Sequence, residues 1–303
     1  MQTHAFCSIP YVRYVLHLQK GYQTMNKVAL AYATFAQDAF VLPPAVSNLQ
    51  VLMTDNTASL DNFAALVQSD PILSAQLLKI VNSPLYKFRT PVDSVLKAFH
   101  VLGTKAVCNL VIGYGVRTAF KDLNSHAIDL EQFWEFSVKT ALFAQYWSQR
   151  LALHEPERFF TAALLHNIGE LVVAHKTPEK AYLCNRFTID EQPWERQQAV
   201  LGYTYKDITL QILKIWNLPE SIIDCIKCIH DSPQTIGSID SKVMQLAYHQ
   251  ALLESYPMFI NDITELPEQY ALSLGLNEQA LEAAVENNRF RLISVASLFS
   301  SDA

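Results

Sequence analysis

The run Ala163-Leu-Leu-His166-Asn167-Ile168-Gly169-Glu170 sets an imidazole beside a carboxamide at the end of an apolar stretch. An imidazole can ligate a divalent metal or move a proton near neutral pH. The asparagine has the shape of an aspartate and still hydrogen-bonds, but lacks the negative charge that hard cations favour. The same residues also read as a helix end, with His166 packed or capping and Gly169 as a left-handed stop. A second group is Cys225-Ile-Lys-Cys228, followed by His230. On a helix the two thiols share a face, as zinc ligands would. A structural zinc site takes four ligands, and no second Cys-x-x-Cys or His-x-x-x-His completes the set. The pair therefore reads as small buried hydrophobes. The sequence contains no Gly-x-Ser-x-Gly elbow, no Walker-type loop and no Gly-x-Gly-x-x-Gly, which removes the familiar hydrolase, nucleoside-triphosphate and dinucleotide signatures.

Composition narrows the class. Half of the 303 residues are hydrophobic and 17% are charged, which suits a globular chain with a large core. Only 8 glycines are present, too few for a fold built on tight turns. A net charge of −6 and the lack of a basic aromatic stripe argue against nucleic acid as a partner. No apolar run approaches the ~20 residues that span a bilayer, so no membrane partner is expected. The first residues lack the basic start and apolar stretch of a secretory signal. Five cysteines without framework spacing fit a reducing compartment, and the expected location is cytoplasmic.

Helical periodicity positions these residues. Pro43-Pro44 opens a helix through Leu52, Ser59 caps one through Val67, and Asp70-Pro71 caps and starts one through Val81. Asp93 or Ser94 begins the next, which Gly103 stops; Thr104 then caps a helix from Lys105 to about Phe120. Further helices are expected near Leu130 to Leu151, up to His166-Asn167, from Tyr203 to Trp216, from Pro219 to near His230, and from Ser241 to Ser255. Weaker ones cover Asn26 to Asp38 and Asn277 to Glu286. With no period-2 stretch, the fold class is all-α. The polar segment Lys121 to Asp129 is the candidate boundary between two helical subdomains.

Leu42-Pro43-Pro44, Ser69-Asp70-Pro71, Leu78-Lys-Ile-Val-Asn82-Ser83-Pro84, Ala98-Phe-His-Val-Leu102-Gly103, Asn109-Leu-Val111, Phe133-Trp134, His166-Asn-Ile-Gly169 and Ile215-Trp216-Asn-Leu218-Pro219 occur in that order. The ordered set resembles the HDOD family, the HD-related output domains of bacterial signalling proteins, over roughly residues 42 to 250. The resemblance implies an N-terminal helical bundle packed against a divergent HD-type helical subdomain. The domain plan is an extension over 1–41, an HDOD-like domain over 42–255 (split as 42–125 and 126–255), and a helical extension over 256–303.

In HD phosphohydrolases an adjacent histidine and aspartate hold metal that activates water against a phosphate ester. The resemblance places the ligand positions of that site on Phe136, His166, Asn167, Tyr205, Ile229, His230 and Tyr248. Two of these are histidines and none is a carboxylate, so the set reads as vestigial, with no catalytic residue and no cofactor. The function this implies is a regulatory module that binds signalling proteins. One alternative is a divergent metal-dependent phosphohydrolase using His166, His230, Asp231 and His249. Another is a sensor holding a nucleotide-like ligand in the old cleft without turnover.

Overall fold

The computed structural model describes residues 27–188, 191–231, 237–256 and 265–299. Their regular structure is helical throughout, with no strand among them. A first helix, α1 (27–39), is followed by α2 (Pro44–Met53), α3 (Leu60–Gln68), α4 (Pro71–Val81), α5 (Val95–Leu102) and α6 (Thr104–Ala119). Then come α7 (Leu130–Arg150), α8 (Pro156–Leu165), α9 (Ile168–Lys176), α10 (Pro178–Cys184) and α11 (Pro193–Leu201). The remainder are α12 (Tyr205–Ile215), α13 (Glu220–Lys227), α14 (Ile239–Ser255), α15 (Glu265–Ser273) and α16 (Glu278–Ala296).

Local chemistry sets most of the starts. The Ser59 and Asn62 side chains form a reciprocal cap on α3, and Asp70 Oδ1 accepts from the N–H groups of Ile72 and Leu73 at 3.0 and 3.1 Å. Of the two candidates before α5, Ser94 takes the cap, accepting from Lys97 N. Thr104 does not cap α6. It is the first helical residue, and Gly103 (φ +87°) both ends α5 and precedes α6, a backbone state that disfavours side chains. Asn82 closes the long turn after α4, donating to the carbonyls of Leu78 and Val92 and accepting from Val92 N–H.

Helices α2 to α6 pack on one another as a first bundle, joined to the rest through α6 against α8. Thr161 Oγ1 on α8 donates to the carbonyl of Asn109 on α6 at 2.9 Å. The second bundle is built around α7, which packs most extensively on α8 and then on α14 and α16. Buried Trp147 Nε1 donates to Gln250 Oε1 at 2.6 Å, tying α7 to α14. Arg158 on α8 pairs with Asp240 on α14 at 2.6 Å. The polar segment between α6 and α7 is pinned by Ser125 Oγ, which donates to the carbonyl of Ala174 on α9. The described parts of both flanking regions join this core. Tyr32 of α1 hydrogen-bonds Thr177 at 2.8 Å, and Arg291 of α16 donates to the carbonyl of Leu85 at 2.7 Å.

Other expectations change too. Gly169 is not a helix stop: it lies inside α9, a helix the periodicity did not separate from α8. Helices α10 and α11 were not expected either. The C-terminal helix runs to Ala296 rather than Glu286, because its buried face includes the polar residues Asn288 and Arg291, which masked the apolar repeat. Asn26 and the irregular start before it lie outside the described residues. No described helix is long and apolar enough to cross a membrane.

Candidate functional site

Five elements deliver the residues singled out in the sequence. Phe136 comes from α7, His166 and Asn167 from the junction of α8 and α9, Tyr205 from the first turn of α12, Ile229 and His230 from the segment after α13, and Tyr248 from α14. Four of them meet. Tyr248 stands at the centre, its ring 5.5 Å from His166, 5.1 Å from His230 and 5.7 Å from Phe136, all edge to face. Phe136 in turn lies 5.7 Å from His166. Trp194 from α11 stacks on His230 at 4.7 Å and 12°, and meets Tyr248 at 5.8 Å. His249 joins from the side, 5.5 Å from Tyr248 and 4.6 Å from Tyr270. Asn167 turns instead to Glu170, and two more stand apart. Ile229 is wholly buried in the hydrophobic core, and Tyr205 is buried beside Cys184 and Glu170, its N–H donated to Gln197 Oε1 at 2.8 Å.

Gly169 explains how the His166-Asn167 turn fits this crowded place. A Cβ there would lie 2.2 Å from the carbonyl oxygen of Tyr205, so α9 can cross α12 only with a hydrogen at this position. Its N–H donates to Thr209 Oγ1 at 2.9 Å, fixing the crossing. Asn167 then points its amide at the residue one turn on. Nδ2 donates to Glu170 Oε2 at 2.5 Å.

Electrostatically the site holds neutral imidazoles. His166 Nδ1 lies 2.6 Å from the carbonyl of Ala163, so in the neutral ring that nitrogen carries the proton and Nε2 is a bare acceptor without a partner. Burial lowers its pKa to about 4, although the bond to Ala163 acts the other way. His249 repeats the arrangement, with Nδ1 2.7 Å from the carbonyl of Gln245 and a pKa lowered by burial to about 4. His230 is pushed well below the ordinary range by burial first, then by Lys206 and the two other histidines. Glu170 moves the opposite way. Burial raises its carboxyl to about 7, against the hydrogen bonds from Asn185 and Asn167.

The His166 tautomer, with Nδ1 on a backbone carbonyl and Nε2 bare, is the one metal ligands use. The surrounding donor set does not fit a divalent ion. Tyr248 sits against both His166 and His230, Trp194 covers one face of His230, and Asp231 faces Cys228 rather than His166. Among the described residues, no three His, Cys, Asp or Glu side chains converge as metal ligands would. Cys225 lies against Arg158 and the Ser221 carbonyl, which fits packing better than ligation.

Sequence reasoning missed Glu170, Trp194 and Tyr256. Glu170 had a local signal, lying three residues after Asn167 on the same helical face. Trp194 and Tyr256 reach the site only through tertiary packing. Tyr256 meets Phe136 at 6.2 Å and Phe187 at 5.3 Å.

Comparison with known proteins agrees with this architecture. A curated relative from Treponema pallidum (strain Nichols), carrying the name uncharacterized protein, is 25% identical over 215 residues, 69% of this chain and 40% of the relative. The chain thus spans less than half of that relative's length. Among solved structures, an HDOD domain protein of unknown function from Geobacter sulfurreducens superposes with a TM-score of 0.68 at 18% identity, covering 90% of this chain and 99% of the other. A Shewanella amazonensis SB2B protein with the provisional name phosphohydrolase gives 0.70 at 21% identity, over 90% and 98%. A Marinobacter aquaeolei VT8 protein with the provisional name signal transduction protein gives 0.67 at 22% identity, over 86% and 60%. These likenesses speak to the fold. The HDOD domain profile matches residues 40–232, well over half of the sequence, and the chain belongs to the HDOD family.

Proposed function

We propose that this chain is a non-catalytic regulatory module that works through protein partners, with the cleft of an HD-type fold converted to packing. The observation that carries the reading is the Tyr248 ring, held edge-on against His166, His230 and Phe136 where an HD site would hold its ion. Two neutral imidazoles without a convergent carboxylate supply neither the charge to hold a hard cation nor the geometry to activate water. The provisional name of the Marinobacter neighbour, a signal transduction protein, is in keeping with this role.

The test uses protein purified without chelator. Metal content by plasma mass spectrometry is expected to be far below one ion per chain. Adding chelator should leave the melting temperature unchanged, because no ion contributes binding energy to the native state. Hydrolysis of a chromogenic phosphodiester should not rise above background with manganese, iron or zinc added. A reversible chelator-induced fall in melting temperature, or metal-dependent hydrolysis lost in His166→Ala, overturns the proposal. Either would favour a phosphohydrolase built on His166, His230, Asp231 and His249.

A further inference from the structure

Beside the packed cluster lies a cavity of about 130 Å³ between the start of α7, the α8–α9 turn and the segments that carry Phe187 and Tyr256. Its walls combine four aromatic rings, Phe133, Phe136, Phe187 and Tyr256, with two carboxyl groups, Asp129 and Glu170. Among the described residues, no Lys, Arg or His lines it. The rings are set at steep angles: Phe187 meets Tyr256 at 5.3 Å and 74°, and Tyr256 meets Phe136 at 6.2 Å and 62°. Rings arranged this way turn both faces and edges toward one space, and ring faces attract positive charge.

Glu170 supplies the second, independent feature. It accepts from Asn167 Nδ2 at 2.5 Å, yet forms no ion pair with any described residue. Burial raises its carboxyl to about 7, only partly opposed by the Asn185 and Asn167 amides, and no cationic side chain contributes. A half-buried carboxylate without a counter-charge is disfavoured as the ion, and a cation in the cavity would stabilise it. Asp129 caps α7 through Oδ1, accepting from Gln132 N at 3.0 Å. The second oxygen of that carboxylate is not used in the cap.

We propose that this cavity is a binding site for a small organic cation, an alkylated ammonium, held by cation–π contact with Phe136, Phe187 and Tyr256 and paired with Glu170. Water occupies about 30 Å³ in the liquid, so the space holds about four waters and suits a trimethylammonium head group. The site adjoins the cluster through Phe136, which touches both Tyr256 and Tyr248. An occupant would therefore set the position of a ring shared with the cleft. The proposal does not depend on the absence of catalysis; it requires only the cavity and its lining.

The experiment titrates the full chain with choline chloride by calorimetry, alongside 3,3-dimethylbutan-1-ol, the uncharged analogue of the same shape. Choline should bind saturably, and the alcohol at least about tenfold more weakly, because only the charged head group draws on ring faces and carboxylate. Glu170→Gln and Phe187→Ala should each weaken choline at least about tenfold while leaving the circular dichroism spectrum unchanged. Should Glu170→Gln not fold, Asp129→Asn retains a capping residue while removing one charge, and should weaken choline measurably. Absence of saturable choline binding overturns the proposal. So does equal binding of the alcohol, undiminished binding in folded Glu170→Gln, or binding of a trimethyllysine peptide without any of choline.

Discussion

Asn167 is defined by what it faces. Its amide nitrogen donates into the Glu170 carboxyl, so an aspartate in the same place would set acceptor against acceptor with nothing between them. This gives the asparagine a structural reason independent of any lost chemistry. Asn167→Ala should lower unfolding free energy by about 1–3 kcal/mol in urea titrations, since a partly buried acceptor loses its donor. Asn167→Asp should be more harmful at pH 8 than at pH 5, because protonated Glu170 can donate to the new carboxylate and ionised Glu170 cannot. Equal penalties at both pH values would show that the two side chains do not interact. The sequence displayed the asparagine and its missing charge. The carboxyl that makes use of the amide was also within reach, one helical turn on, but nothing local marked Glu170 as half-buried against the site.

At the scale of elements, the crossing of α9 over α12 is the tightest join at the site. Gly169→Ala puts a methyl group 2.2 Å from a backbone oxygen, and backbone cannot rotate away as a side chain can. The substitution should cost at least about 1–3 kcal/mol through displacement of one helix against the other. It should also alter the chemical environment of Thr209 Oγ1, a readable shift in amide and hydroxyl resonances. Elements that begin with a local cap were legible from sequence. Ser59, Asp70 and Ser94 accept hydrogen bonds from residues two or three positions away, and those rules act over one turn. Helices α9 to α11 were not legible, since they are only 7 to 9 residues long, too short to show a clear apolar repeat. In α16 the core-facing residues Asn288 and Arg291 hide the repeat. Arg291 is buried because it reaches the carbonyls of Pro84 and Leu85 in the first bundle, a partner some 200 positions distant.

For the molecule as a whole, the buried titratable groups give stability a defined pH profile. His166 and His249 are lowered to about 4 and His230 is also held well below its ordinary value, so all three stay neutral in the folded chain while the unfolded chain takes up protons below about pH 6.5. Stability from these groups is full above pH 6.5 and falls as pH drops toward 4. Glu170 acts with the opposite sign. Its raised pKa means the folded chain holds a proton between the ordinary value of 4.5 and about 7 that the unfolded chain has released. Its contribution therefore declines as pH rises through that window. Three histidines outweigh one carboxyl, so the melting temperature should rise from pH 4.5 to 6.5 and then level or dip slightly toward pH 7.5. In Glu170→Gln the rise should be steeper and the dip absent. A profile flat between pH 4.5 and 6.5 would mean that the imidazoles are not buried in the neutral form.

The stack of Trp194 on His230 also makes the cleft an optical reporter. Protonated imidazole quenches excited indole far more strongly than the neutral ring does. Because His230 resists protonation while enclosed, Trp194 should remain bright in mild acid and darken only when the cluster opens. The loss of emission would then follow opening of the cleft rather than the bulk proton concentration. Trp194→Phe should abolish that component and leave the signals of Trp134, Trp147 and Trp216, which are buried elsewhere in the core.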